Sequence, residues 1–165
     1  MISINKLRQP VIAKVQGVAT AAGCQLVASC DLAIASRNAR FGVSGINVGL
    51  FCSTPAVALS RCVQRKQAMQ MLLTGDLISA DTALAYGLIN EVVHPSQLDI
   101  KTTELAERIA KQSSFGIQLG KRLFYDQLEC DNLDNAYDLA VKCMTTNLQH
   151  PDAIQGIDDF VNKKK

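Results

Sequence analysis

Tryptophan is missing from this 165-residue chain, histidine occurs only twice, and no glutamate precedes Glu91. Between Gly17 and Gly75 the one acid is Asp31, so paired-carboxylate chemistry in that stretch has no reagents of its own. His94 and His150 each stand beside a proline, and neither forms a metal-ligand spacing with the cysteines, which excludes a zinc site of the usual pattern. No apolar run approaches the roughly 18 residues that cross a bilayer. Neither of the usual glycine-rich phosphate loops, G-x-x-x-x-G-K-[ST] and G-x-G-x-x-G, is present. The six cysteines contain no C-x-x-C pair and follow no secretory signal, so they are expected as reduced thiols in a soluble intracellular protein.

What is there fits a globular domain: 48% of residues are hydrophobic and 19% charged, enough apolar surface for one core. The net charge of +2 is too small for a nucleic-acid footprint over the whole molecule. Its distribution is uneven, with +7 over residues 1–75 and −5 over residues 76–165. Such a split suits either an anionic ligand on the first part or matched surfaces between subunits.

Pro10 introduces Val11-Ile12-Ala13-Lys14-Val15, a β-branched run stopped by Gly17, which predicts a buried strand followed by a turn. Ala21 to Cys30 is small and apolar throughout, predicting a helix that starts near Ala22-Gly23 and is buried on nearly all sides. Leu32 to Ala35 completes a βαβ-like unit. Residues 41–56, with Gly42, Gly45, Gly49 and Pro55, read as a loop-rich wall of the kind that lines sites. Gln64 to Leu73 is a helix closed by Thr74-Gly75-Asp76; Ser79 caps Ala80 to Tyr86, and Gly87 stops it. From Gln97 onward the chain is helical, with Ala136, Tyr137, Ala140, Val141, Met144 and Leu148 as one stripe and a last helix opened by Pro151. A single α/β domain with a helical C-terminal third follows.

The sharpest local feature is the small-residue entry Ala19-Thr20-Ala21-Ala22-Gly23-Cys24-Gln25. Unpaired N–H groups near Ala22 and Gly23 could stabilise negative charge developing on a carbonyl oxygen, or the small residues could serve only a tight strand–helix crossing. Cys52, in the loop-rich wall, is the one thiol placed for nucleophilic work, with a lining role as the alternative. Asp31 reads as a hydrogen-bonding residue at a helix end or strand start, and Arg37, Arg40, Arg61, Arg65 and Lys66 as surface charges or phosphate contacts.

Pro10-Val11-Ile12-Ala13 with Gly17, Ala21 to Leu26, Cys30-Asp31-Leu32-Ala33, Phe41, Leu73-Thr74-Gly75-Asp76, Ile78-Ser79-Ala80 and Ala85-Tyr86-Gly87-Leu88 form an ordered series. From about Pro10 to Lys165 the chain thereby resembles the crotonase superfamily, the enoyl-CoA hydratase/isomerase family. Ala19 to Gln25 with Val48 to Pro55 look most like a mitochondrial branch of it. The resemblance implies the C-terminal part of a spiral β-β-α core over about residues 1–95, then a helical trimerisation region over about 96–165. It implies an acyl-CoA thioester as ligand, coenzyme A entering as part of the substrate, and no other cofactor or metal. The oxyanion-hole N–H falls on Ala22, flanked by substrate-binding Ala21 and Gly23, and Phe160 with Lys163 match coenzyme A contacts on the last helix.

The positions of the family's two glutamates hold Gln25 and Gly45, so hydratase activity is expected to be weak or missing. An active enzyme using other groups, such as Cys52, is the alternative, and a non-catalytic assembly partner of full-length relatives is another. The family's N-terminal half has no counterpart here, which suggests a fragment or short form with an open sheet edge. A homo-oligomer, trimer or dimer of trimers, or a hetero-oligomer with full-length relatives is implied, without nucleic acid or membrane span. The implied compartment is the mitochondrion, although Met1 to Gln9, with Lys6 and Arg8, is too short for a transit peptide and leaves the cytoplasm open.

Overall fold

A computed structural model describes residues 1–162. They form two compact units, residues 1–4 with 11–107 and residues 5–10 with 108 onward. The short helix α1 (Ile2–Lys6) spans the first of these boundaries.

The first unit carries both sheets. β1 (Ile12–Val15) and β2 (Val18–Thr20) follow one another, the helix α2 (Ala22–Ser29) comes next, and β3 (Leu32–Ser36) and β4 (Arg40–Gly42) return. β3 lies parallel between β1 and β6 (Glu91–Val93); β4 pairs parallel with β2 and antiparallel with β5 (Ile78–Ser79). Ala33, Ile34, Ala35 and Ser36 are all buried, as befits a central parallel strand covered on both faces. Ala33 and Ala35 join the main core with Phe41, Leu59 and Met71, whereas Ile34 packs with Val93 and Leu98 in a second cluster.

Two helices of this unit stop within a residue of where the sequence predicts. α4 (Arg65–Thr74) ends at Gly75, whose φ of +69° is left-handed, and α5 (Ala80–Ala85) starts with the Ser79 side chain accepting the Thr82 N–H. Two expectations need correction. Residues 41–56 are no loop-rich wall: they contain β4, a 3-10 turn (Ser44–Val48) and the start of α3 (Ser53–Cys62). Pro55 sits in the first turn of α3, where its missing N–H costs no helical bond. Nor is α2 buried all round; only Cys24 and Val27 are, Leu26 is 46% exposed and Ala22 is exposed, because the helix packs by one face.

The unit boundary falls in α6 (Leu98–Ala110). The second unit holds α7 (Ser114–Leu128), α8 (Leu133–Leu148) and α9 (Pro151–Asn162). Ser113 and Asn132 cap the first two by accepting the Gly116 and Asn135 N–H groups. No residue of these three helices is fully buried. The predicted stripe of α8 exists, yet Tyr137, Val141 and Met144 each keep more than 60% of their surface.

Candidate functional site

Two parallel strands end side by side in the first unit. Thr20, the last residue of β2, stands in register with Gly42, the last of β4. Carboxyl ends of parallel strands are where ligands of layered α/β folds settle, because the chain leaves both strands there and opens a crevice. The two departures remain tied: the Ala21 N–H donates to the Gly42 carbonyl at 3.0 Å, and the Thr20 and Ser44 hydroxyls share a hydrogen bond of 3.1 Å. Thr20 belongs to the small-residue run and directly precedes Ala21; the Ser44 hydroxyl, directly before Gly45, has no signal in the sequence that marks it.

After β2 the chain turns through Ala21 at φ +48°, ψ −115°, the one non-glycine residue with positive φ among the described residues. An alanine there is strained, and the neighbouring bonds over-determine it: its N–H is held by Gly42 and its carbonyl accepts the Gln25 N–H at 3.0 Å. The turn aims α2 so that no side chain caps it and no acid lies in its first turn. The N–H groups of Ala22 and Gly23 therefore carry the positive end of the helix dipole without an acceptor among the described residues. Access is open, since a Cβ placed on Gly23 would meet nothing within 4 Å. Gln25 lies one turn along, half-buried, its side-chain amide making no hydrogen bond to a described residue.

Beneath this turn Cys24 is fully buried, and burial pushes its thiol up to about 12, an effect that the Gly42 backbone N–H partly offsets. The sulfur is thus neutral and supplies no anion to the helix N-terminus.

After β4 the chain closes tightly. The Leu50 N–H donates to the Gly45 carbonyl at 3.0 Å, the Gly49 N–H to Ile46 at 3.0 Å, and Gly49 reverses the chain at φ +76°. Gly45 donates its own N–H to the Cys52 sulfur at 3.3 Å. A Cβ on Gly45 would lie 2.4 Å from the Leu50 carbonyl oxygen and 2.8 Å from Cys52 Sγ.

The structure thus brings Ala21, Ala22, Gly23 and Gln25 together on one turn and sets Gly45 on the adjoining one. Cys52 is 8% exposed and faces Gly45 rather than a base. His94 is held by Ser96 at 2.8 Å, and His150 stacks on Phe115 in the second unit. Asp31 has the structural role read for it, accepting the Val11 N–H at 2.7 Å at the start of β1. Phe160 lies on α9, in the second unit and 63% exposed; Lys163 lies outside the described residues. Among the described residues no His, Cys, Asp and Glu cluster could hold a metal ion, and no helix is long and apolar enough to cross a membrane.

The pattern of the enoyl-CoA hydratase/isomerase family matches residues 1–165. Enoyl-CoA hydratase domain-containing protein 3, mitochondrial, of Rattus norvegicus is 51% identical over 165 residues, covering 100% of this chain and 55% of the relative. The short-chain-enoyl-CoA hydratase of Clostridium acetobutylicum is 35% identical over 166 residues, 98% of this chain and 62% of its own. Among solved structures, an enoyl-CoA hydratase of Mycobacterium smegmatis matches with a TM-score of 0.96 at 51% identity, covering 98% of this chain and 63% of that one. Human enoyl Coenzyme A hydratase domain-containing protein 3 matches at 0.94 and 49%, covering 99% and 64%. The chain spans about half the length of the curated relatives at 50% identity, 55% in the rat protein. It belongs to the enoyl-CoA hydratase/isomerase family and has its crotonase fold, α/β with a helical C-terminal region.

Proposed function

We propose that this member of the enoyl-CoA hydratase/isomerase family binds acyl-CoA thioesters at the first turn of α2 and hydrates them weakly or not at all. The observation that carries this reading is an uncapped, accessible helix N-terminus beside two positions, 25 and 45, that hold no carboxylate. The Ala22 N–H donates to the thioester oxygen, where an alanine serves as well as a glycine because the donor is main chain. A donor of this kind is worth about 3–4 kcal/mol to a developing oxyanion. Ala21 and Gly23 leave room for the acyl group, and Gln25 with Gly45 line the pocket.

Adding water to an enoyl thioester needs a group that takes the proton of the water and one that delivers a proton to the α-carbon. The Gln25 amide exchanges no proton near neutral pH, and Gly45 offers no side chain. Polarisation of the carbonyl is thereby separated from proton transfer. Thiol chemistry gains no support, since Cys52 is buried against Gly45. The names of the relatives favour the mitochondrion and acyl-CoA metabolism as the setting.

Phe160 and Lys163 are assigned to coenzyme A, across a subunit boundary where chains assemble. The unburied apolar face of α8 favours assembly, as a trimer, a dimer of trimers or a mixed oligomer with longer relatives. Titration calorimetry of the folded chain with a short 2-enoyl-CoA tests the reading. Saturable binding without sustained heat of turnover supports it; no binding overturns it, and rapid turnover overturns its second half.

A further inference from the structure

Positions 23 and 45 both hold glycine, both lie in the turns that leave the paired strands, and neither has positive φ, yet their surroundings are opposite. At Gly23 a Cβ meets open space; at Gly45 it would enter the volume already filled by the Leu50 carbonyl oxygen and Cys52 Sγ, 2.4 and 2.8 Å away. Real Cβ atoms do not approach backbone oxygen so closely, so a side chain at position 45 requires the main chain to move.

That main chain is held from both sides. In front, the Gly45 N–H bonds to Cys52 and the Gly45 carbonyl to Leu50. Behind, the Cβ direction of Gly75 is filled by Asn47 Oδ1 at 2.5 Å and Ile46 Cγ2 at 2.8 Å, and the Asn47 amide donates to the Gly75 carbonyl at 3.5 Å. Gly75 ends α4 at φ +69°, a conformation that fixes it as glycine, so the turn cannot retreat in that direction.

We propose that Cys52 and the Leu50 carbonyl are positioning groups that seal position 45 and so close the site to water addition. The lack of a second carboxylate is then a property of the turn from Gly45 to Cys52, and a glutamate written into position 45 cannot supply it. Position 25 is not sealed in this way: one carboxylate can be restored there, the other cannot. The functional consequence rests on the acyl-CoA reading above, whereas the seal is readable without any ligand.

A matched pair of substitutions tests it. Gly23→Ala leaves the thermal midpoint unchanged or raises it, because the new methyl meets nothing and alanine favours a helix. Gly45→Ala lowers it by roughly 5 °C or more through overpacking, and adding Cys52→Ala returns part of the loss. Equal midpoints for the two alanine variants overturn the seal. Amide hydrogen exchange of the unsubstituted chain reads the same contact with no substitution at all: the Gly45 N–H is protected and becomes fast in Cys52→Ala, while the Ala22 N–H exchanges freely. A Gly45 N–H as fast as that of Ala22 overturns the proposal.

For the consequence, Gln25→Glu/Gly45→Glu hydrates a short 2-enoyl-CoA no faster than Gln25→Glu alone. A double variant that is stable and at least tenfold faster overturns it. Should the unsubstituted chain fail to bind the enoyl-CoA, the acyl-CoA reading falls while the alanine pair still decides the seal.

Discussion

Two turns leave neighbouring strands in this molecule and do opposite things with the same kind of residue. The turn after β2 is strained, uncapped and open, and the N–H groups of Ala22 and Gly23 that follow it have no acceptor among the described residues. The turn after β4 is satisfied, with Gly45 bonded through both its N–H and its carbonyl, and closed upon itself. The contrast teaches that a glycine can be kept for what approaches it from outside or for what already presses on it from inside, and that only the first kind marks a site.

The largest change that breaks the comparison is Gly45→Ala. It should cost about 1–3 kcal/mol in chemical denaturation, against a gain of at most about 1 kcal/mol for Gly23→Ala. Equal values would make the two turns alike.

Much of the open turn is legible in the sequence, and almost none of the closed one. The run Ala21 to Gln25 between two apolar strands announces a strand–helix entry, though not its exposure, and Thr74-Gly75, Ser79 and Gly87 mark helix ends through chemistry local to each residue. β2 and β4 escape because three-residue strands carry no periodicity, and their pairing joins Thr20 to Gly42 across 22 positions. α3 escapes because Pro55 and three nearby glycines imitate a loop, although a proline in the first turn of a helix breaks no bond. The seal at Gly45 is a tertiary contact with Cys52 and Leu50, and composition holds no signal for it. The stripe of α8 is legible as a stripe, but its exposure is not, since helical period reports which residues share a face and not what covers them.

A smaller effect sharpens the contrast at the open turn. Ala21→Gly removes the strain of φ +48° and should stabilise the fold by about 1 kcal/mol, less what glycine loses in the unfolded chain. The same change loosens the turn that aims α2, so affinity for an acyl-CoA should fall while stability rises. Both quantities moving together would detach the strain from binding.

Near neutral pH the smallest effect comes from two buried thiols, because it develops only above about pH 9. Cys24 is raised from its ordinary 9.0 to about 12 and Cys62 to about 11, both chiefly by burial. The folded chain therefore keeps these thiols protonated where the unfolded chain ionises them. Stability is full below about pH 9 and declines as pH rises from there towards 12. Unfolding midpoints measured from pH 8 upward should show that decline, and a shallower one in Cys24→Ala; the same slope in both would mean that the thiol is hydrated in the folded chain.

The donation from Ala22 to the thioester oxygen is tested most directly by isotope-edited infrared spectroscopy of an acyl-CoA labelled at its thioester carbonyl. On binding, the carbonyl stretch should move to lower frequency, and the shift should shrink when an amide-to-ester replacement deletes the N–H of residue 22. A bound thioester whose carbonyl frequency equals that in water, or whose shift survives the replacement, would contradict the role given to α2.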